Sequence, residues 1–446
     1  MTPSLRALRP CFEGAVPASI ATCAADGTPN VTKLSHVHFV DDRHVALSYQ
    51  FFNKTRRNVL ATGRATVEVL DPVSAAHYHL HLEYLRTETE GPLFETMKAR
   101  LAAIASHTGM RKVFRLLGAD LYRVLRIETV GDVPPVPGAS PTDLLAGLRA
   151  FSAELLACAE LAPLLDTALQ GLEHHWDIHQ AIVALFDRSR GCLYTVASRG
   201  YPESGIGSEV RIGEGILGIA ALERTPIRIE YAVQEYRYCL AARQRFAESA
   251  QRSGLETEIP LPGLPEAGSQ MAVPLLAAGR LLGVLYVESP LEQRFTYRDE
   301  DALVVLAGQL ALAIELLAQR SDHPAEGVSS AAAPPAAGPP VLVRHFPADH
   351  SVFVVDDYLI KGVAGAILRR LLAERERTGR VDFTTRELRL DASLGLPDVT
   401  DNLDARLILL QRRLAERCPA IALEKTGRGR WRLALDRPVR LVDMPP

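Results

Sequence analysis

A group of basic and polar residues follows directly after a hydrophobic strand in the run Val45–Val59. The side chains that could do chemistry there are Lys54, Thr55, Arg56, Arg57 and Asn58. A helix that begins at this point would direct its free N–H groups and the positive end of its dipole to one place. Basic and hydroxyl side chains would then complete a phosphate site. A solvated basic turn is the other interpretation of these residues taken alone.

The same run resembles the flavin-binding stretch of the pyridoxamine-phosphate-oxidase-like split barrels. In that family a strand that ends near Tyr-Thr-Asn is followed by Ser-Arg-Lys and a Gln. Lys54 stands where Arg is usual and Thr55 where Lys is usual, which predicts a lower phosphate affinity. The resemblance implies that FMN is the cofactor. The residues it assigns to FMN are Ser48, Tyr49, Gln50, Asn53, Lys54, Thr55, Arg57 and Asn58.

The residues around this run fit a small β-barrel, and the resemblance covers roughly residues 10–130. Alternating apolar and polar positions predict strands at Ala15–Ala24, Asn30–Val40, His44–Ser48, Ala65–Leu70 and Ala76–Thr87. A helix is predicted at Glu95–Ser106. In the family a second subunit completes the flavin pocket, so the resemblance also implies a homodimer.

The middle of the chain, Leu144–Gln319, has a different order of elements. The predicted elements are a helix at Glu154–His174, strands at Ala181–Phe186 and Leu193–Ser198, a Gly-rich turn with a short helix and a strand in Val210–Ile229, a hairpin at Met271–Ser289 and a closing helix at Asp299–Leu317. This order resembles a GAF domain, a fold that holds small molecules under a lid or serves as a dimerisation spacer. The lid would be Glu230–Gln270, whose tyrosines and Cys239 are either ligand contacts or packing residues. The GAF ligand stays unidentified.

The last hundred residues combine helices with a basic hairpin. Helices are predicted around Ala364–Leu372, after the capping box Thr384–Glu387, and at Asp401–Arg417, with a hairpin at Ile421–Leu435. This arrangement resembles the winged helix of response-regulator output domains, including a Gly-x-Gly-aromatic-Arg signature at Gly427–Arg432. The resemblance implies DNA binding by Arg406, Arg412, Arg413, Lys425, Arg428 and Arg430. Ile408 and Leu409 lie off the core stripe, which leaves an outward apolar surface and protein docking as the other interpretation.

Length, linkers and charge divide the chain into parts. At 446 residues it is too long for one core and suggests about three domains. We predict a flavin-binding split barrel at 1–135, a GAF sensor domain at 143–320, an Ala/Pro-rich linker at 321–340 and a winged-helix-like output domain at 341–446. Residues 136–340 carry a net charge of −10, whereas residues 341–446 carry +4. A near-neutral total therefore hides an acidic middle and a basic end.

Other patterns exclude some classes of function. The six cysteines contain no C-x-x-C pair, so neither a disulfide framework nor a zinc knuckle is expected. Cys23 is expected in the core, and the barrel histidines are expected on half-polar strand faces rather than at a metal. We expect no apolar run that approaches the roughly 18–20 residues of a membrane span, and no basic-then-apolar leader. We therefore expect a cytoplasmic protein with no membrane contact.

The sequence as a whole predicts a multidomain α+β protein: a split β-barrel, a GAF domain with an antiparallel sheet and flanking helices, and a winged helix. The function expected from this order is a cytoplasmic sensor-regulator that couples flavin or small-molecule sensing to a transcriptional output. A flavin-dependent oxidoreductase with regulatory domains and a protein-docking scaffold are the alternatives. Vitamin B6 oxidation is not expected, because the family's Trp…Arg-Leu-x-Pro ending has no counterpart before Asp132. No catalytic residue and no metal ligand are assigned.

Overall fold

The computed structural model describes residues 3–12, 18–34, 37–49, 54–71, 74–107, 116–131, 144–229, 259–321, 338–391, 394 and 402–444. Over these residues the chain is a mixed α+β multidomain protein with four sheets. Every pairing recorded between these strands is antiparallel except one in the C-terminal region. The expected fold class, multidomain α+β, is therefore confirmed.

The N-terminal region is a seven-stranded antiparallel sheet that follows a short 3₁₀ helix at Leu5–Phe12. Its elements are β1 (Ala18–Cys23), β2 (Pro29–Leu34), β3 (Val37–Phe39), β4 (His44–Tyr49), α1 (Lys54–Thr62), β5 (Arg64–Leu70), β6 (His77–Glu88), α2 (Pro92–His107) and β7 (Gly118–Val130). The strand order is β2-β1-β5-β6-β7-β4-β3. The single strand predicted at Asn30–Val40 is two strands, and Cys23 is exposed rather than part of the core.

The middle region is a six-stranded antiparallel sheet of order β10-β9-β8-β13-β12-β11. Its elements are α3 (Leu144–Ala157), α4 (Leu161–Trp176), β8 (Gln180–Asp187), β9 (Cys192–Arg199), β10 (Glu209–Arg211), α5 (Gly215–Glu223), β11 (Ile227–Ile229), β12 (Ser269–Ala277), β13 (Arg280–Ser289) and α6 (Tyr297–Ser321). Ala278 and Gly279, with φ of 47° and 75°, make the two-residue turn of the predicted hairpin. The one helix predicted before β8 is two helices.

The closing helix α6 is long and apolar, with a mean hydropathy of 1.9 over an 18-residue window. Length and composition alone would let it cross a membrane, so the expectation that no run approaches that length was wrong. Its leucines at 303, 306 and 310 are fully buried, because they pack against the sheet in the core. Such packing is the behaviour of a core helix.

The described residues of the C-terminal region form a four-stranded sheet, three helices and a three-stranded sheet. Its elements are β14 (Val341–Phe346), β15 (Ser351–Val354), β16 (Asp357–Ile360), α7 (Gly362–Thr378), β17 (Asp382–Thr384), α8 (Thr385–Leu390), α9 (Leu403–Arg417), β18 (Ile421–Gly427), β19 (Arg430–Leu435) and β20 (Val439–Asp443). The sheet orders are β16-β15-β14-β20 and β17-β19-β18. The N-cap half of the predicted capping box is present, since the Thr384 hydroxyl accepts from the Glu387 N–H, while the Glu387 carboxylate accepts from Arg380. The four-stranded sheet was not predicted.

The middle and C-terminal regions share a hydrophobic core. One cluster of buried side chains runs from α3, α4 and α6 through the helix face of the middle sheet into α7 and α9. The other face of the middle sheet packs on α5, and Ala99 of α2 is buried in that second cluster. The middle region is therefore in contact with both of its neighbours.

Candidate functional site

The predicted phosphate site lies where β4 leads towards α1. Ser48 and Tyr49 end β4 and pair with Ala119 and Gly118 of β7. Gln50 and Asn53 lie outside the described residues. Lys54 is the first residue of α1, so the free N–H groups of the first helical turn are at the predicted place.

A polar network fixes this first turn against the sheet. The Thr55 hydroxyl accepts a hydrogen bond of 2.9 Å from Asn30 Nδ2 on β2. Asn58 is buried, and its Nδ2 donates to the Thr22 hydroxyl of β1 at 3.2 Å. Lys54 and Arg57 are exposed. Of the predicted flavin residues described with side chains, Asn58 thus anchors the helix to β1, while Lys54 and Arg57 supply positive charge at its surface.

Arg56 has a different role from its basic neighbours. Its Nη1 donates to both carboxylate oxygens of Asp120 on β7, at 2.7 and 2.8 Å. Its Nη2 and Asp120 also bond to the Thr87 hydroxyl, at 3.1 and 2.6 Å. Asp120 is buried, so the guanidinium compensates a charge that would otherwise be costly. The pair locks α1 to β6 and β7.

The charges around the site are not all positive. The Asp26 carboxylate has a pKa below its ordinary value, first because the backbone N–H of Thr28 donates to it and, as a smaller contribution, because Lys54 is near. On β7, burial raises the pKa of the Tyr122 phenol, and the nearby charge of Asp120 raises it further. An anion bound at Lys54 would therefore compete with Asp26 for the ammonium group.

A second candidate site, which the sequence analysis missed, is a buried carboxylate in the middle region. Glu288 of β13 accepts from the Leu264 N–H at 2.8 Å, from the Tyr286 hydroxyl at 3.0 Å and from Gln270 Nε2 at 3.5 Å. These three donors are uncharged, and burial raises the pKa of Glu288. Burial and the nearby Glu288 also raise the pKa of the Tyr201 phenol. The signal in the sequence is an acidic residue inside an apolar strand.

This cluster lies on the sheet face that packs on α5, opposite α3, α4 and α6, because Tyr286 belongs to the cluster of side chains around α5. The predicted lid tyrosines and Cys239 lie outside the described residues. Among the residues described, no group of three or more His, Cys, Asp or Glu side chains is placed to hold a metal ion. Two histidines of the N-terminal sheet pair with carboxylates, His77 with Glu68 and His81 with Glu128.

The structure corrects the placement expected for two of the predicted DNA-binding residues. Arg406 is 3 % exposed, lies 3.9 Å above the Tyr194 ring and faces Asp187 Oδ2 at 2.8 Å. The contact with Asp187 is an ion pair without the alignment of a hydrogen bond. Arg413 is 5 % exposed and donates to the Leu359 carbonyl at 2.9 Å. Neither side chain projects outward from α9 as expected.

The remaining basic residues also contact the chain itself. Arg412 donates to Asp166 Oδ1 at 2.6 Å and to the Val196 carbonyl at 3.0 Å. Lys425 lies between Asp404, at 3.1 Å, and Glu160, at 3.5 Å. In the hairpin, Arg428 donates to the Arg320 carbonyl at 2.6 Å, and Arg430 is half-buried on β19.

The apolar side of α9 is covered as well. Ile408 and Leu409 are both buried, so the expected outward apolar surface was wrong. A Cβ built on Gly207, between β9 and β10, would lie 3.9 Å from Leu409 Cδ1. The structure therefore brings Arg406, Arg412 and Lys425 together against the middle region rather than against solvent.

Comparisons with known proteins agree with the middle of this description. Residues 158–315 match the family model of the GAF domain, which confirms the predicted GAF domain. The comparison with curated proteins gave no match.

Three solved structures with similarity to parts of the chain each cover less than half of it. The GAF domain of a phosphoenolpyruvate-protein phosphotransferase from Acinetobacter is 24% identical, with a TM-score of 0.31, over 38% of this chain and 90% of that one. A free methionine-R-sulfoxide reductase from Neisseria meningitidis is 19% identical, with a TM-score of 0.31, over 43% and 99%. An FMN-binding protein from Syntrophomonas wolfei is 19% identical, with a TM-score of 0.25, over 29% and 89%.

Proposed function

We propose that this chain is a cytoplasmic sensor-regulator, in which an FMN-binding split barrel and a GAF domain control a winged-helix output domain. The observation that carries the proposal is the shared core between the GAF domain and the C-terminal region. Since interiors are close-packed, a shift of α4 or β9 cannot leave α9 in place. A ligand that alters the GAF domain therefore alters the position of the output helix.

The GAF domain supplies the small-molecule sensing part of the proposal. Ligand pockets are mostly apolar, with a few polar groups that fix the orientation of the ligand. Glu288, with Tyr286 and Gln270 beside it, is such a polar group within an apolar sheet face. A ligand that donates hydrogen bonds would fit this carboxylate.

The N-terminal region supplies the flavin part. The exposed Lys54 and Arg57 at the start of α1, with the hydroxyl of Thr55, fit the phosphate of FMN. Ser48 and Tyr49, and with them Gln50 and Asn53, would lie around the rest of the cofactor, and Asn58 would hold the helix in place. When bound, FMN would supply redox chemistry or serve as a sensed ligand, while these residues bind and orient its phosphate.

The order of elements after Gly338 supports the winged-helix part. The strands β14, β15 and β16 precede the helices α7 to α9, and the last strand, β20, returns to pair with β14. The hairpin β18–β19 pairs with β17 beside α8. In this proposal α9 reads DNA with Arg406 and Arg412, and Lys425, Arg428 and Arg430 contact phosphates. The docking alternative required an outward apolar surface, but Ile408 and Leu409 are buried, and Leu409 lies beside Gly207 of the chain's own GAF domain.

Homodimerisation completes the proposal. The helix α6 leaves Val305, Leu312 and Leu316 exposed at helical spacing, and a second copy of the chain would cover them. Light scattering at micromolar concentration should give twice the 48.7 kDa of one chain. A mass of one chain would contradict both the dimer and a flavin pocket shared between subunits.

The flavin assignment is tested by the absorption spectrum and by titration of FMN into apo-protein. Charge-assisted bonds to a phosphate contribute about 1.5–3 kcal/mol each, so Lys54→Ala should weaken FMN binding at least about tenfold. Lys98→Ala, an exposed lysine on α2, is the matched control and should leave the affinity unchanged. Equal affinities of the wild type and Lys54→Ala would overturn the assignment.

A further inference from the structure

The helix α9 is buried on two sides. Its buried residues are Leu403, Asp404, Ala405, Arg406, Leu407, Ile408, Leu409, Leu410, Arg413 and Leu414. One side packs on its own domain, against α7, β16 and β18, and the other packs on α4 and β9 of the GAF domain. A helix that reads DNA has to present one side to the major groove. In this arrangement that side is covered.

The centre of the covered side is the ion pair between Arg406 and Asp187. Their side chains are 4% and 1% exposed. Burial alone would raise the pKa of Asp187, but Arg406 and the hydrogen bonds from Ser189 and the Arg190 N–H hold it below the ordinary value. The carboxylate is therefore charged at neutral pH, and it meets the guanidinium away from solvent, where Coulomb interactions are strong.

Two further carboxylates of the GAF domain contact residues of the predicted DNA surface. Asp166 accepts from Arg412, and Glu160 lies 3.5 Å from Lys425. Each of the three cations thus faces an acidic group of the GAF domain. A DNA backbone would offer the same cations its phosphates.

We propose that the GAF domain is a built-in competitive inhibitor of the C-terminal domain, in which Asp187, Asp166 and Glu160 stand in the place of DNA. This inference rests on the proposed DNA-binding role of α9 and adds its regulation. Nucleic acid and the GAF surface bind the same side of the helix, so only one of them can be bound at a time. A GAF or flavin ligand that loosens the contact with α4 and β9 releases the DNA-binding surface.

The test compares the full-length wild type with Asp187→Asn and Asp299→Asn. Asn at 187 keeps an oxygen for the turn at Ser189 and removes the charge that faces Arg406. Asp299 is the matched control, because it also holds a turn, at Thr296, and faces an arginine, Arg294, and its polar contacts are to these two residues of the GAF domain. Hydrogen exchange reports the opening of α9, and fluorescence anisotropy reports binding to a duplex from the chain's own promoter region and to a random duplex.

Breaking a buried ion pair on one side is strongly unfavourable, so Asp187→Asn should speed exchange in α9 at least about tenfold. Affinity for the promoter duplex should rise by a similar factor, while exchange in β13 stays unchanged and shows that the GAF domain is folded. Asp299→Asn should change neither quantity.

Two results would overturn the inference in distinguishable ways. Equal promoter affinity for the wild type and Asp187→Asn would leave a DNA-binding protein without this inhibition. Faster exchange in α9 without promoter binding would show that the domains separate, but it would remove the DNA-binding role and the inhibition with it.

Discussion

The GAF domain has two interfaces with its neighbours, and the two differ in how their cations and carboxylates are paired. At the first, α2 of the N-terminal region packs on α5 and β11, and arginines from both regions surround Tyr297 and Glu300. At the second, Arg406, Arg412 and Lys425 each face a separate carboxylate of the GAF domain. The first concentrates positive charge on one carboxylate, whereas the second distributes it over several.

At the first interface, several arginines surround one carboxylate, Glu300, and one aromatic ring, Tyr297. Arg228 and Arg100 lie 2.8 and 3.7 Å from Glu300 Oε2. The guanidiniums of Arg9, Arg100 and Arg228 lie 4.4, 5.7 and 4.3 Å from the centre of the Tyr297 ring. Burial would raise the pKa of Glu300, but Arg100 and Arg228 hold it below the ordinary value. One carboxylate and one aromatic ring therefore hold several cations together.

This difference indicates which interface opens. Removing the shared carboxylate would leave buried guanidiniums that repel each other. Opening only part of the first interface is therefore strongly unfavourable in free energy. Pairs at the second interface can separate one by one, and in the proposed regulation DNA phosphates would replace the GAF carboxylates. The N-terminal region and the GAF domain should accordingly move as one body, and the C-terminal domain should be the part that leaves.

The largest effect should come from Glu300→Gln. Because it leaves Arg100 and the buried Arg228 without their shared anion, we expect a loss of about 3–5 kcal/mol in the free energy of unfolding, measured in urea. The control is Asp301→Asn, an exposed acid on the same helix that pairs with Arg9 and should cost less than about 1 kcal/mol. Similar costs for the two variants would contradict the comparison between the interfaces.

A smaller effect should appear as the pH falls. Burial first, and Arg100 next, lower the pKa of His38 from 6.5 to about 4, while Glu300 acts in the opposite direction. The unfolded chain therefore binds a proton that the folded chain rejects between these values. Stability from this group is complete above pH 6.5 and is lost as the pH falls towards 4, by roughly 1–3 kcal/mol.

The pH effect is measured by urea unfolding of the wild type and His38→Asn at pH 7 and pH 4.5. The difference in free energy of unfolding between the two proteins should shrink or reverse at the lower pH. A difference that does not change with pH would show that the pKa of His38 is the same in the folded and the unfolded chain.

The smallest effect concerns the edge of the second interface. Arg412→Ala removes hydrogen bonds to Asp166 and to the Val196 carbonyl, and we expect exchange in α9 to rise about three- to tenfold. Arg417→Ala is the control, because Arg417 and Glu203 are exposed and 3.8 Å apart. Equal exchange rates in the two variants would show that Arg412 does not stabilise the contact between α9 and the GAF domain. Arg406 and the apolar contacts would then hold that contact.

Local patterns in the sequence predicted much of the fold. The cap at Thr384, the turn at Ala278-Gly279 and the leucine stripe of α6 depend on neighbours within a few residues, and each is present. The parallel pairing of β14 with β20 joins Val341 to Val439, and no local signal marks it.

The candidate sites show the same limit. The sequence predicted basic residues at the start of α1. It did not predict that Arg56 forms an ion pair with Asp120, because Asp120 lies on a strand far away in the sequence. Helical periodicity gave α9 one apolar stripe and assigned its other side to solvent or DNA. That assignment failed at Arg406 because its partner, Asp187, belongs to another domain.

The Ala/Pro-rich segment between α6 and β14 gives the second interface a further property. Short tethers hold joined partners at an effective concentration of roughly millimolar, whatever the dilution of the protein. The effective concentration of the acidic GAF surface at α9 is thus fixed by the tether, whereas the concentrations of the proposed partners, DNA and a second copy of the chain, would vary in the cell. Release of α9 should then depend on ligand state and DNA, and dimerisation on the amount of protein.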